Sequence, residues 1–163
     1  MYDLTVEEAH TFAVGECAWV VHNKCDFRRF GSETEAAQAQ ATNQLEFPTS
    51  GVGNRQEKWI AEANSISSNA KFGDSSLYTH RMDIETQGAQ LDWLNRNAVD
   101  YDAYRNALDT GDNFVFRNDG RKVLVDNVQV LTKTNEPGWY GLTPAGLGNF
   151  NRNVINIDAT RVR

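Results

Sequence analysis

The pair His22-Asn23 follows two short apolar segments, residues 11–14 and 18–21. Those residue types in that order can cut a backbone. An Asn at the end of a strand can turn its side-chain amide on its own backbone carbonyl, closing a succinimide and releasing everything downstream. The neighbouring His can move the proton, and packing fixes the attack geometry. The same pair after an apolar strand also reads as an ordinary turn. Downstream, the options for chemistry narrow. His80 is the one His there, so a His–His ribonuclease pair is absent. Cys25 lies at the extreme start of that portion, which removes a Cys–His protease pair. No Gly-x-Ser-x-Gly elbow occurs, and no group of residues has metal-ligand spacing. What remains is Arg28-Arg29, Lys58-Trp59, Tyr78-Thr-His80 and a Glu, Glu136, in the turn Asn135-Glu-Pro-Gly138.

Composition bounds the partners. The chain has 163 residues, 40% of them hydrophobic, enough for one packed domain with an appendage. The net charge of −6 is uneven. The segment through Asn23 carries Asp3, Glu7, Glu8 and Glu16 and no basic residue, leaving 16 basic against 18 acidic side chains downstream. A nearly neutral body lacks the basic footprint of a protein that grips nucleic acid through phosphates. Cys17 and Cys25 flank the proposed cut; a disulfide between them would tether what cleavage releases, so no disulfide framework is read. Apolar runs fall short of the ~18 residues that span a membrane, and no signal peptide is evident.

The elements that must position these residues follow in order. Residues 26–30 read as a strand, and Ser32 with Glu35 three residues on forms a capping box for a helix reaching Asn43. Pro48 and Gly51-Val-Gly53 force a loop. Residues 58–62 read as a strand, and the Ser- and Asn-rich stretch 64–76 as a surface segment. Period two over 77–85 puts Tyr78, His80, Met82 and Ile84 on one face and Arg81, Asp83 and Glu85 on the other. Two helical patches follow: Leu91, Leu94 and Ala98, then Tyr101, Tyr104 and Leu108, ending near Gly111. Asn118-Asp-Gly120 between residues 114–116 and 123–125 is a hairpin signal. A strand over 128–132 leads into the Gly- and Pro-containing bend, and residues 154–157 supply a last strand. The pattern is α+β, with no βαβ alternation.

The first segment, with Leu4, Val6, His10 and Phe12 ahead of Val20-Val-His-Asn23, closely resembles the last two motifs of a Hint (hedgehog/intein) domain. Splicing inteins carry Cys, Ser or Thr directly after that Asn; here Lys24 stands there and Cys25 is one position late. The resemblance therefore implies cleavage, not splicing, with residues 1–23 a C-terminal Hint fragment and 24–163 the cargo. The upstream half of such a domain does not precede it here, so self-cleavage is not expected of this chain. Hint domains of this kind precede toxins in Rhs, YD-repeat and contact-dependent polymorphic systems. That implies a secreted or delivered effector acting in the cytoplasm of a target bacterium, and a cognate immunity protein as partner.

The cargo's own order of motifs runs Arg28-Arg-Phe-Gly-Ser32 with Glu35, Lys58-Trp-Ile60, Tyr78-Thr-His-Arg81, then Asn135-Glu-Pro-Gly-Trp-Tyr-Gly141. It resembles ADP-ribosyltransferase toxin domains over most of residues 27–150. That resemblance implies a pair of packed antiparallel sheets with flanking helices, an NAD cleft between them, and NAD as substrate. It makes Arg29 the NAD-binding Arg with Ser32 in support, Glu136 the catalytic carboxylate that steadies an oxocarbenium-like transition state, and Tyr78, His80 and Trp59 the cleft lining. The implied target is a translation component, elongation factor Tu before others, with nucleic acid the alternative. An NAD glycohydrolase would use nearly the same pocket, and an RNA-cleaving toxin would rely on His80. Read from the residues alone, Arg28 competes with Arg29 as the inward one, Ser32 is a helix cap, Trp59 and Tyr78 are core residues, and Glu136 sits in a type II turn. The chain lacks the Ser-Thr-Ser strand and the Glu-x-Glu pair of one family branch. Asp83-Ile-Glu85 has the acid-x-acid spacing, which makes Glu85 the rival carboxylate.

Overall fold

The computed structural model describes residues 26–47, 57–65 and 78–162, together with the backbone of two strands, β1 (Thr11–Val14) and β2 (Trp19–His22). Those two pair as an antiparallel hairpin with Thr11 opposite His22 and Val14 opposite Trp19. Asn23 and residues 2–6 lie outside the described residues. In chain order there follow β3 (Phe27–Gly31), α1 (Glu33–Thr42), β4 (Lys58–Glu62), β5 (His80–Thr86), α2 (Gln90–Asn97), β6 (Ala98–Asp100), α3 (Tyr101–Thr110), β7 (Phe114–Phe116), β8 (Lys122–Leu124), β9 (Val130–Thr132), β10 (Trp139–Leu142), α4 (Pro144–Asn151) and β11 (Val154–Arg161).

The architecture is α+β. Seven strands form one sheet in the order β11-β5-β3-β4-β10-β9-β6, while β7 and β8 form a separate hairpin. The expected pair of antiparallel sheets differs from this in two respects. The limb β11-β5-β3 is joined to the limb β4-β10-β9-β6 through two register pairs, Phe27 with Glu62 and Arg28 with Ala61. And β6 runs parallel to β9, because α3 and the β7–β8 hairpin carry the chain away and back between them.

Side-chain alternation assigns each face. Register places Phe27, Ile60, Met82, Ile84, Tyr140, Leu142, Val130 and Ile157 on one side. There they form a core with Ala36 and Ala39 of α1, Leu94 of α2 and Leu147 and Phe150 of α4. Phe150 meets Phe27 edge-on, with ring centroids 5.7 Å apart. The opposite side carries Val99 and Leu131, which pack with Ala107 of α3, Val115 of β7, Val125 and Val128. Trp59, Tyr101 and Tyr104 border that second core.

Local chemistry sets the helix ends. Ser32 caps α1 by accepting the Glu35 N–H, and Asn43 closes it at φ 53°, a conformation Asn tolerates. The Asn43 Oδ1 then accepts the Ile157 N–H at 2.9 Å, covering part of the outer edge of β11. Ala98, expected on a helix, begins β6 instead, where it is buried opposite Val130. β10 and α4 lie in what reads from the sequence as a Gly- and Pro-containing bend before the last strand. Thr143 caps α4 and Pro144 occupies its first turn, a start signal visible in the sequence.

Two glycines of α4 have opposite requirements. A Cβ on Gly146 would lie 2.0 Å from the Gln129 carbonyl oxygen, whereas Gly148 has nothing within 4 Å. Gly146→Ala is therefore expected to destabilise the fold by about 3 kcal/mol through backbone overlap. Gly148→Ala should stabilise it by roughly 0.5–1 kcal/mol through helix propensity. Urea unfolding of the two variants reads both signs; equal effects would contradict this packing of α4 on the loop before β9.

Candidate functional site

β3 continues beside β5 as far as Gly31 opposite His80, and β4 beside β10 as far as Lys58 opposite Leu142. Between β3 and β4, however, the ladder stops after Arg28 and Ala61. The residues just past that point are Arg29 and Phe30 on one strand and Trp59 and Ile60 on the other, and backbone groups there need partners from elsewhere. Arg29 supplies one: its Nη1 donates to the Trp59 carbonyl at 2.7 Å.

The same guanidinium donates to Glu35 of α1, from Nε to Oε1 at 2.8 Å and from Nη2 to Oε2 at 3.3 Å. Lys58 Nζ reaches the same Oε1 at 2.5 Å. Lys58 is only 4% exposed. Two cations thus share one carboxylate in a largely dry place, with the exposed Glu46 a more distant influence on Lys58. Burial alone would push the Glu35 carboxyl up, but the charges and hydrogen bonds of Arg29 and Lys58 hold it below the ordinary carboxylate value. Burial, followed by the like charge of Arg29, pushes the Lys58 amine down against the opposing pull of Glu35. Gly31 makes the arrangement possible: a Cβ there would lie 2.5 Å from Glu35 Oε2 and 2.8 Å from Met82 Cε.

The residues named from sequence fall into two groups around β4. Arg29, Ser32 and His80 belong to the first. Ser32 acts by capping the helix that carries Glu35. His80 stands opposite Gly31 on the Arg29 side of the sheet, its Nδ1 2.9 Å from Thr79 Oγ1. Tyr78 is half-buried just ahead of β5, and the Thr79 carbonyl accepts the Val162 N–H, which ties that segment to the end of β11.

Trp59 and Glu136 form the second group, on the opposite face. The Trp59 ring lies against Gly141, where a Cβ would meet it at 3.0 Å, and Tyr101 meets it edge-on at 5.5 Å. Lys133 Nζ sits 4.8 Å from the Trp59 ring centre and 3.6 Å from Glu136 Oε2. Alternation separates the neighbouring arginines as well. Arg28 points away from Arg29 and pairs with Asp83 at 2.9 Å, as does Arg81. Glu85 shares that face with Asp83, across the sheet from Arg29. His22 ends β2 opposite Thr11. Among the described residues no group of three or more His, Cys, Asp or Glu could hold a metal ion, and no helix is long and apolar enough to cross a membrane.

Sequence reasoning missed Glu35, Lys58, Tyr101 and Lys133 as members of these groups. The signal for Glu35 was present but spent on the capping box. For Lys58 it was a basic residue in a strand otherwise fit for burial.

The charge imbalance around Glu35 has measurable consequences. Glu35→Gln leaves the buried Lys58 and the half-buried Arg29 without the anion they share and is expected to cost about 3 kcal/mol in urea unfolding at pH 7. Lys58→Met leaves a balanced Arg29–Glu35 pair and should raise stability by about 1 kcal/mol. Because the folded Glu35 value is depressed, its contribution is present above the ordinary value of 4.5 and lost as pH falls through the folded value below it. Stability of the Glu35→Gln variant should therefore fall less steeply below pH 4.5 than that of the unchanged protein.

This chain matches no protein-family profile, no curated protein and no solved structure.

Proposed function

We propose that residues 24–163 are an NAD-dependent ADP-ribosyltransferase toxin domain with an ADP-ribosyltransferase-like fold, delivered into the cytoplasm of a target bacterium. Its proposed target is a translation component, elongation factor Tu before others, and its producer is protected by a cognate immunity protein. Residues 1–23 are read as the end of a Hint domain that releases the cargo after Asn23, with His22 moving the proton.

One observation carries the reading. The ladder between β3 and β4 stops after Arg28 and Ala61, and the guanidinium of Arg29 lies at that point beside the buried Lys58. A dinucleotide needs a place where its diphosphate meets fixed cations; the Arg29 fork and the Lys58 ammonium are such cations, and a diphosphate would have to take the place of Glu35, which they now bond. Glu35 alone is bonded to both cations, with Glu46 acting on Lys58 from farther off. The catalytic carboxylate assigned here is Glu136, on the Trp59 side; both it and its rival Glu85 lie across the sheet from Arg29.

The test uses NAD labelled on the adenylate phosphate, added with the purified protein to a bacterial lysate. Label should enter one protein band. Arg29→Lys, which keeps the charge and loses the fork, should lower transfer about 100-fold or more, and Glu136→Ala by a similar factor. Glu85→Ala should stay within about twofold. Consumption of NAD without transfer would make the protein a glycohydrolase, and label on RNA would overturn the protein target. Degraded RNA with untouched NAD would sink the assignment and point to His80.

A further inference from the structure

The β7–β8 hairpin turns one face inward and the other to solvent. Val115 is buried in the second core, with Val123 packed against it. Alternation sends Phe114, Phe116, Lys122 and Leu124 to the opposite face. There Phe114 is 46% exposed, Phe116 61% and Leu124 45%. Three large apolar side chains side by side in water mark a surface that meets something. Two of them are rings, and the strand that carries both holds them about 6.6 Å apart.

Charge is divided along the same hairpin. Asp112 and Asp126 flank its open end, and its turn end carries Arg117, Arg121 and Lys122 against Asp119. The Arg121 side chain is 77% exposed, 3.6 Å from Asp119. Lys122 stands opposite Phe116 in register, yet its Nζ lies 4.0 Å from the centre of the Phe114 ring. Its side chain thus crosses the exposed face diagonally, from beside one ring to above the other.

Flat rings interleaved with cations complement a ligand in which flat rings alternate with anions. We infer that this face binds a single strand of RNA, with unpaired bases stacked on Phe116 and Phe114 and the linking phosphates met by Lys122 and Arg121. The single strands that a cell exposes are chiefly RNA, its DNA being held as duplex. An apolar protein surface would cover the rings but strip water from Lys122 and give it no anion in return. A nucleotide answers the rings and the ammonium together. A duplex does not fit: its paired bases offer no free face to an aromatic side chain, and three cations at one turn are too few to hold it by phosphates alone. The near-neutral total charge agrees with so small a footprint. The inference goes beyond the transferase reading and does not rest on it.

The probe is a fluorescein-labelled uridine decamer, titrated with the full chain at low salt and followed by anisotropy. Saturable binding with a Kd of about 1–100 µM is expected. Phe116→Leu keeps an apolar side chain at an exposed position and removes the ring; it should weaken binding about fivefold or more, and Phe114→Leu likewise. Lys122→Gln should weaken it several-fold and lower the slope of log affinity against log salt by about 0.7. Unlabelled duplex DNA of the same length should compete at least several-fold less well than the unlabelled uridine decamer. No saturable binding by the unchanged protein, an affinity that neither ring substitution lowers, or equal competition by the duplex would each overturn the inference. So would an oligomer of the unchanged protein that Phe116→Leu dissociates in size-exclusion chromatography, since the face would then belong to a second copy. No NAD enters the titration, so its outcome is independent of labelled transfer.

Discussion

Where β3 and β4 part, a charged contact takes the place of a β-ladder. Past Arg28 and Ala61 the two strands no longer pair, and the joint is held instead by Arg29, which bonds the Trp59 carbonyl and Glu35 together. That contact depends on an absence. Glu35 comes to the guanidinium because Gly31 has no Cβ to occupy its place. A two-pronged Arg–carboxylate contact is geometrically demanding, so the position of α1 on the sheet and the direction of β3 are fixed by the same few atoms. Asn43 at the other end of α1 anchors the helix to β11. The limb β11-β5-β3 therefore holds α1 at both ends.

Alternation along β3 and β4 divides everything else. Arg28 and Arg29 are neighbours in sequence and end in different networks, one with Asp83 and Arg81, the other with Glu35 and Lys58. The first places two guanidinium groups on one acid of an acid-rich strand face, beside Glu85. The second has an Arg–carboxylate pair of similar exposure but holds a buried ammonium besides. The energetic difference follows from the extra cation in each: Arg81 is 35% exposed and screened by water, whereas the buried Lys58 has a shifted proton affinity and costs stability. Lys58 stands at that cost in the fold described here.

Much of the framework was legible. The helix cap at Ser32, the strands at 58–62 and around Met82 and Ile84, the end of α3 at Gly111 and the hairpin around Asn118-Asp-Gly120 each rest on local chemistry, and local chemistry is what a sequence displays. The Glu35 half of the expected capping box is spent instead on Arg29 and Lys58. Gly111 and Gly120 adopt the positive φ that their positions suggested. What was not legible depends on register. Nothing local tells Arg28 from Arg29, because the inward one is decided by which strand lies alongside and in what phase. Nothing local says that Glu35, already used as a helix-start signal, also turns toward a strand. β10 shows the opposite failure: its Trp139, Tyr140, Gly141 and Leu142 are all buried, but Pro137 and Gly138 ahead of them signalled a turn that masked the strand it introduces. α4 was masked in the same way, although Thr143 and Pro144 announced it.

Total charge is a poor guide to what such a fold can bind. The body beyond Asn23 is nearly neutral, with 16 basic against 18 acidic side chains, and that balance argued against a protein that tracks a polyphosphate backbone. It says nothing against a ligand that meets two or three charges at one point. Near Arg29 two cations bond one carboxylate, with Glu46 a more distant second acid. Near Trp59 and Glu136, aromatic faces and a carboxylate favour a cation, and Lys133 supplies it from within. Each place is a local balance of a few charges, set by the face of β4 from which a side chain leaves, and the total hides both.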